Sequence, residues 1–212
     1  MRRVLAFGPF VVVVAMGCSS SPAPVVEPAP SAQSVTACTY PDGPYGIHVG
    51  DTISPTFTWQ GFGPGGTPQQ YASTDFYDCD GSKGINAIVF DSSATWCVAC
   101  QQEAMELEGM IANNWGPNGV AVITLMVEDA NQNPATNVSV AEAWMTQYHL
   151  KNVPVAIDPK FNFAVYVNGS LGLPYNVLVD PRTMKVVKSP YEPGTGGHDP
   201  DMDALLAANQ AQ

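Results

Sequence analysis

An α/β fold is predicted for the middle of this chain by three stretches taken together. Residues 85–90 form an apolar run of strand length. Beyond it, Cys100, Ala104, Leu107 and Ile111 recur at helical spacing, and residues 120–127 form a second, stronger strand pattern. Strand, helix and strand in that order make the unit that parallel pairing requires, because a parallel neighbour is reached only through a crossover.

The remaining elements follow in chain order. Residues 38–84 are rich in Gly, Pro and Tyr, with one predicted strand at 56–59, where Phe57 and Trp59 alternate with Thr. This segment is expected to pack as an extension on the main domain, residues 85–212. The crossover opens with a strand at 87–91, and its helix ends near Asn113 and Asn114. A helix at 140–150, a short strand at 154–157, a helical turn at 161–167 and a strand at 176–179 come next, and Val186 and Val187 extend a final strand. Asp199, Asp201 and Asp203 open a last helix at 202–209, where the positive end of the helix dipole favours acidic side chains. The same run lacks the Gly and distant Glu of a calcium loop, so capping is its reading.

Residues 1–17 read as an export signal, with Arg2 and Arg3 ahead of an apolar stretch too short to span a bilayer comfortably. Gly17-Cys18 followed by three Ser residues resembles the lipobox of bacterial lipoproteins, in which the Cys becomes the lipidated first residue. Ala15-Met16-Gly17 also fits an ordinary small-x-small cleavage site. Residues 18–37 are mostly Ser, Pro, Ala and Val and read as a lipid anchor followed by a disordered tether. If Cys18 carries lipid, four of the five cysteines remain, enough to pair completely in an oxidising compartment. Cys38 and Cys79 are then a structural disulfide. The net charge of −11, with only eight Lys and Arg, argues against nucleic-acid binding, which needs a basic footprint.

The chemistry is carried by Trp96-Cys97-Val98-Ala99-Cys100. Residues i and i+3 face each other across the first helical turn, so two sulfurs there can join and part with little backbone movement. Helix N-termini favour the thiolate, which is the attacking species. Cys100 is in phase with the apolar stripe and faces inward. Cys97, at the very start of the helix, is the more accessible and is the expected nucleophile, with Cys100 resolving the mixed disulfide. A structural zinc site needs four N or S ligands, and no second CxxC or paired His is present; haem attachment needs His after the second Cys, where Gln101 stands. No metal is expected, and His48, His149 and His198 read as surface or packing residues.

In order along the chain, Gly50-Asp51, Pro55-Thr56-Phe57, Lys83-Gly84, the CxxC and Gly172-Leu173-Pro174 before Val177-Leu178-Val179-Asp180 resemble the exported thiol–disulfide oxidoreductases of the TlpA and ResA type. The resemblance spans most of residues 50–187. It implies a thioredoxin-like fold, a central mixed β-sheet flanked by helices, with an N-terminal extension. It also implies a cis peptide at Leu173-Pro174, with that loop and Trp96 beside the sulfurs and Pro174 orienting a substrate strand. From sequence alone Pro174 is an ordinary turn proline. Val98-Ala99 departs from the Pro-containing pairs common in that family, and Ser92-Ser93 replaces its usual aromatic pair.

Asp91 falls six residues before Cys97, where the resemblance implies a buried acid; it is read either as a general base for Cys100 or as a strand-end Asp making local hydrogen bonds. Glu103 is read as a first-turn partner of the helix dipole, and Glu128, at the end of the next strand, as a neighbour of the site. The resulting expectation is an envelope disulfide reductase, lipid-anchored and facing the periplasm. It is expected to be monomeric and to use no cofactor beyond its redox-active disulfide. Protein thiols or disulfides are its expected substrates, with a membrane electron donor behind it. Alternatives are a thioredoxin-fold binding protein or copper carrier, and a thiol peroxidase; Thr95 does not provide the peroxiredoxin spacing, in which Thr lies three residues before the attacking Cys.

Overall fold

A computed structural model describes residues 38–167 and 171–211. The signal segment, the tether and Cys18 lie outside the described residues. Seven strands form one mixed sheet in the order β2-β1-β5-β4-β3-β6-β7. In chain order the elements are β1 (Thr58–Phe62), β2 (Pro68–Ala72), β3 (Ala87–Ala94), α1 (Val98–Met110), β4 (Val120–Glu128), α2 (Ser139–Tyr148), β5 (Val155–Ile157), β6 (Tyr175–Asp180), β7 (Lys185–Lys188) and α3 (Pro200–Gln210).

The expected crossover is the heart of this sheet. β3 pairs in parallel with β4 and β4 with β5, and α1 and α2 are the connections that parallel pairing demands. β6 closes antiparallel on the other side of β3, which is buried along its whole length. Strand alternation then divides the core. Ala87 and Val89 of β3, Val122 of β4 and Leu178 of β6 pack with Cys100, Ala104 and Leu107 of α1, Trp144 of α2 and Met202 of α3. Ile88 and Phe90 face the other way, into an aromatic cluster with Phe57, Trp59, Phe76 and Phe163.

Residues 38–84, expected as an extension packed on the core, supply two strands to the sheet itself. β1 lies not at 56–59 but at Thr58–Phe62, because Pro55 and Thr56 form a turn. Its Gly61 sits so close to β5 that any Cβ there would collide with the Val155 carbonyl oxygen. β2 has no expected counterpart. Its first three residues, Pro68, Gln69 and Gln70, are exposed at the sheet edge and give no apolar alternation to read. β3 continues past Asp91 through Ser92 and Ser93, which pair with Leu125 and Met126 of β4. The first helix leaves α geometry at Met110 and ends in a wider π turn at Ile111–Trp115, with the Gly116 N–H donating to the Ile111 carbonyl.

Two cross-links tie the early segment down. Cys38 and Cys79 are joined by a disulfide, with Cα atoms 5.9 Å apart. Close to Cys79, the buried Asp78 carboxylate pairs with Arg182 at 3.2 Å and accepts from the Lys83 and Ile85 N–H groups. Arg182 also donates to the carbonyls of Asp78 and Ile85, to the Asn86 side chain and to the Asn209 carbonyl in α3. One guanidinium thus joins the early segment, the start of β3 and the last helix. At the other end of that helix, Asp199 caps α3 by accepting from the Asp201 N–H, while Lys188 of β7 bridges Asp199 and Asp201.

Removing one partner of a buried ion pair leaves the other charge uncompensated, at a typical cost of about 3–5 kcal/mol. Arg182→Met is therefore expected to lower stability by about that amount in urea unfolding, whereas Lys185→Met on the exposed side of β7 should change it by less than about 0.5 kcal/mol.

Candidate active site

β3 delivers the chain to the site. After Ala94 the backbone turns, with the Thr95 N–H donating to the Glu128 carbonyl at the end of β4 and the Cys97 N–H to the Ala94 carbonyl. Cys97 then stands as the N-cap of α1, in extended geometry, and its sulfur accepts from the Cys100 N–H at 3.1 Å. One turn on, Cys100 faces the sheet, and the two are joined by a disulfide with Cα atoms 5.3 Å apart. The expected contrast in accessibility is absent: Cys97 is 4% exposed and Cys100 1%. With its sulfur turned back to the helix N-terminus, Cys97 is covered, while Trp96 and Val98 on either side stand out into solvent. Glu128, expected near the site, reaches it through Trp96, whose indole N–H donates to Oε2 at 2.7 Å.

Below the disulfide the sheet places polar groups on the face that α1 covers. Asp91 of β3 lies in register with Thr124 of β4 on one side and Asn176 of β6 on the other. Its carboxylate accepts from the Thr124 and Ser93 hydroxyls, both at 2.8 Å. From above, Glu103 of α1 comes down to Asn176, whose amide N–H donates to Oε1 at 2.6 Å. Glu103 Oε2 is buried without a partner among the described residues.

Both carboxyl groups hold protons more tightly than in water. Burial pushes Asp91 up from its ordinary 3.8 to about 6, against the two hydroxyl hydrogen bonds that favour its ionised form. Burial pushes Glu103 up from 4.5 to about 8, and the negative charge of Asp91 adds to the effect. Near neutral pH the pair therefore keeps about one proton between helix and sheet. Of the two sequence readings of Asp91, the structure supplies burial and local hydrogen bonds together. Glu103 is the residue that sequence reasoning passed over. It belongs to the second turn, not the first, and faces Asn176 where a dipole partner would face water. Its position three residues after Cys100, on the inward side of the stripe, was the available signal.

The Leu173-Pro174 peptide is cis. Leu173 and Pro174 line a pocket of about 600 Å³ together with Ala99, Glu103, Asn176 and Tyr191. The intervening Ala99 of the CxxC thus shares a cavity wall with the proline loop and with one of the two buried carboxyls. Pro154, the other proline ahead of a strand, forms no cis bond.

No family model matches the chain, and no curated protein matches it. Solved structures do. A candidate thiol:disulfide interchange protein DsbE from Chlorobium tepidum aligns with a TM-score of 0.52 over 77% of this chain and 98% of its own, at 22% identity. A candidate protein disulfide isomerase from Bacteroides thetaiotaomicron aligns at 0.51, over 76% and 87%, at 20% identity. A hypothetical protein from Sinorhizobium meliloti 1021 gives 0.52 over 78% and 87%, at 19% identity. The fold is thioredoxin-like. At these identities the likeness is one of architecture, and it covers the mixed sheet and the helices packed on it.

The raised pKa of Glu103 makes stability depend on pH in a defined direction. The unfolded chain releases this proton near 4.5 and the folded chain near 8, so the unfolded state gains as pH rises between those values. Stability is thus greatest below 4.5 as far as this group is concerned, falls through the window and levels off above 8. Glu103→Gln, which cannot ionise, is expected to raise the melting temperature at pH 7.5 by about 2–4 °C, roughly 1 kcal/mol for a chain of this size, and to change it little at pH 4.5.

Proposed function

We propose that this protein is a thiol–disulfide oxidoreductase acting on protein disulfides, and that it works as a reductase. The observation that carries the reading is the Cys97–Cys100 disulfide at the N-terminus of α1 with the Asp91 and Glu103 carboxyls buried between that helix and the sheet. A disulfide kept only for stability has no use for a proton acceptor held out of water beside it.

In the reduced protein the Cys97 thiolate, favoured by the helix N-terminus and by the Cys100 N–H, attacks one sulfur of a substrate disulfide. A mixed disulfide forms and the other substrate sulfur leaves as a thiolate, which takes a proton from water. Cys100 then loses its proton to the carboxyl pair and attacks the Cys97 sulfur. The Cys97–Cys100 disulfide forms and the second substrate sulfur leaves as a thiolate, which takes up a proton from water while the carboxyl pair returns its own to solvent. Two electrons pass to the substrate, and its disulfide becomes two thiols. Asp91 is the proton acceptor with the lower proton affinity, and Glu103, holding its proton near neutral pH, prevents both carboxylates from ionising together. The Leu173-Pro174 loop and Trp96 present the surface against which a substrate strand lies. No His stands between the cysteines to stabilise a strong oxidant's thiolate, which favours the reducing direction.

The setting we propose is the cell envelope, with Cys18 as the lipidated N-terminus, the chain facing the periplasm and a membrane electron donor regenerating the dithiol. Mass spectrometry of the N-terminal peptide tests the anchor: a diacylglyceryl mass on Cys18 supports it, and a mature chain beginning at Cys18 without lipid removes it.

The decisive measurement is equilibrium titration of the Cys97–Cys100 pair against dithiothreitol and glutathione. A potential near or below roughly −270 mV is expected, whereas one near roughly −120 mV would make the protein an oxidant. Cys97→Ser should abolish insulin reduction, and Cys100→Ser should accumulate the mixed disulfide on non-reducing gels. Asp91→Asn is expected to leave the first attack in place and to slow resolution by about 10²-fold or more near neutral pH, with a smaller effect below about pH 6, where Asp91 is itself protonated.

A further inference from the structure

The pocket beside the disulfide holds more polar chemistry than thiol exchange uses. Three buried polar atoms on its lining lack a partner among the described residues: Glu103 Oε2, Asn176 Oδ1 and the Tyr191 hydroxyl. Asn176 is 2% exposed and Tyr191 1%. Native proteins rarely leave one such group unsatisfied, and three on residues that line a single cavity mark a place where something else makes the bonds.

The character of the lining selects the occupant. Asn176 Oδ1 accepts, the Tyr191 hydroxyl accepts or donates, and Glu103 Oε2 carries the carboxyl proton near neutral pH and accepts once a cation beside it displaces that proton. Glu106 and Glu192 add exposed carboxylates to the same lining, and no Lys, Arg or His contributes to it. The complement must supply donors and positive charge. Met110, Leu173 and Pro193 give the cavity an apolar wall, which suits a methylene stem leading to a polar head. A volume of about 600 Å³ admits a long side chain together with part of the strand that carries it.

We infer that this cavity receives the basic side chain, Arg foremost, of a polypeptide substrate at a position flanking the cysteine that reacts with Cys97. The inference rests on the thiol-exchange reading for the cysteine and on the cavity alone for the cation. A guanidinium offers five donors in one plane, enough to engage Asn176 Oδ1 and the Tyr191 hydroxyl while its charge favours the ionised form of Glu103 and its stem lies on the apolar wall. The placement is close enough for one peptide to serve both ends, because Ala99, which lies between Cys97 and Cys100 in the chain, also lines the pocket. Glu106, Glu192 and the net charge of −11 favour approach of the same class of peptide and oppose acidic ones.

The test uses the full chain and two short peptides that differ only in Arg or Gln two residues from a central position. With Ser at that position the peptides cannot react, and calorimetry with the oxidised protein reads the pocket alone. The Arg peptide is expected to bind at least about tenfold more tightly than the Gln peptide at low salt. Tyr191→Phe and Glu192→Gln should each shrink that ratio, Glu192→Gln being a surface change that leaves the core intact. Equal binding of the two peptides overturns the inference. With Cys at the central position, bridged as a disulfide, the same peptides read the chemistry. Arg preference in binding with neither peptide reduced keeps the pocket and removes thiol exchange, whereas equal reduction with equal binding keeps thiol exchange and removes the pocket.

Discussion

The constraint on which the site depends is the burial of two carboxyl groups between β3 and α1, among the uncharged polar side chains of Ser93, Thr124 and Asn176. Asp91 is held there by hydroxyls from its own strand and from β4, and Glu103 by the Asn176 amide of β6. Among the described residues neither forms an ion pair with a cation. Such groups are costly to ionise away from water, and the fold carries that cost as raised proton affinity. In the mechanism we propose, the same property lets the carboxyl pair take the Cys100 proton near neutral pH. Stability and proton transfer are therefore two readings of one desolvation, and a substitution that relieves the first alters the second.

Holding the pair out of water requires both faces of the sheet to be closed. α1 covers the polar positions, with Ala104 and Leu107 sealing the helix against Val89 and Leu178. The opposite face is closed by aromatic side chains that come largely from outside the crossover: Phe57 and Trp59 from the early segment and Phe163 from the turn after β5 pack around Phe90. Since Phe90 and Asp91 are adjacent on β3 and point to opposite faces, loosening the aromatic side would also loosen the strand that positions the acid. The Arg182 knot and the Cys38–Cys79 bond fasten the early segment that supplies part of this cover. Residues remote from the sulfurs thus act on the site by fixing β3.

Much of this was legible in the sequence because periodicity is a direct consequence of burial. The strands at β3, β4 and β6 and the stripe of α1 announce themselves by apolar spacing, and Cys97 and Cys100 by their separation. Legibility failed where the physical cause lies in tertiary pairing. β2 is an edge strand with Pro68, Gln69 and Gln70 in water, held by its register with β1 and not by any pattern of its own. The end of α1 depends on how Trp115 docks its indole N–H on the Gly197 carbonyl, a contact across 82 residues. Glu103 was read as a dipole partner because an acidic residue early in a helix usually is one. Only the proximity of β6 shows that it points at Asn176. The burial of Cys97 was likewise unreadable, since a helix start is accessible only until its neighbours cover it.

The sheet register also explains why the acid pair, the proline loop and the pocket occur together. β6 pairs antiparallel with β3, so Asn176 lies opposite Asp91 and the residues just before it, Pro174 and Tyr175, are carried towards the end of β3 from which the CxxC turn departs. Only Tyr175 separates the cis proline from the Asn176 amide that holds Glu103, and one strand therefore presents both to the same cavity. A shift of β6 by one residue would turn Asn176 to the aromatic face and leave Glu103 without its hydrogen bond. The interdependence runs through backbone pairing, which is why side-chain chemistry spread over β3, β4, β6 and α1 converges beneath a single pair of sulfurs.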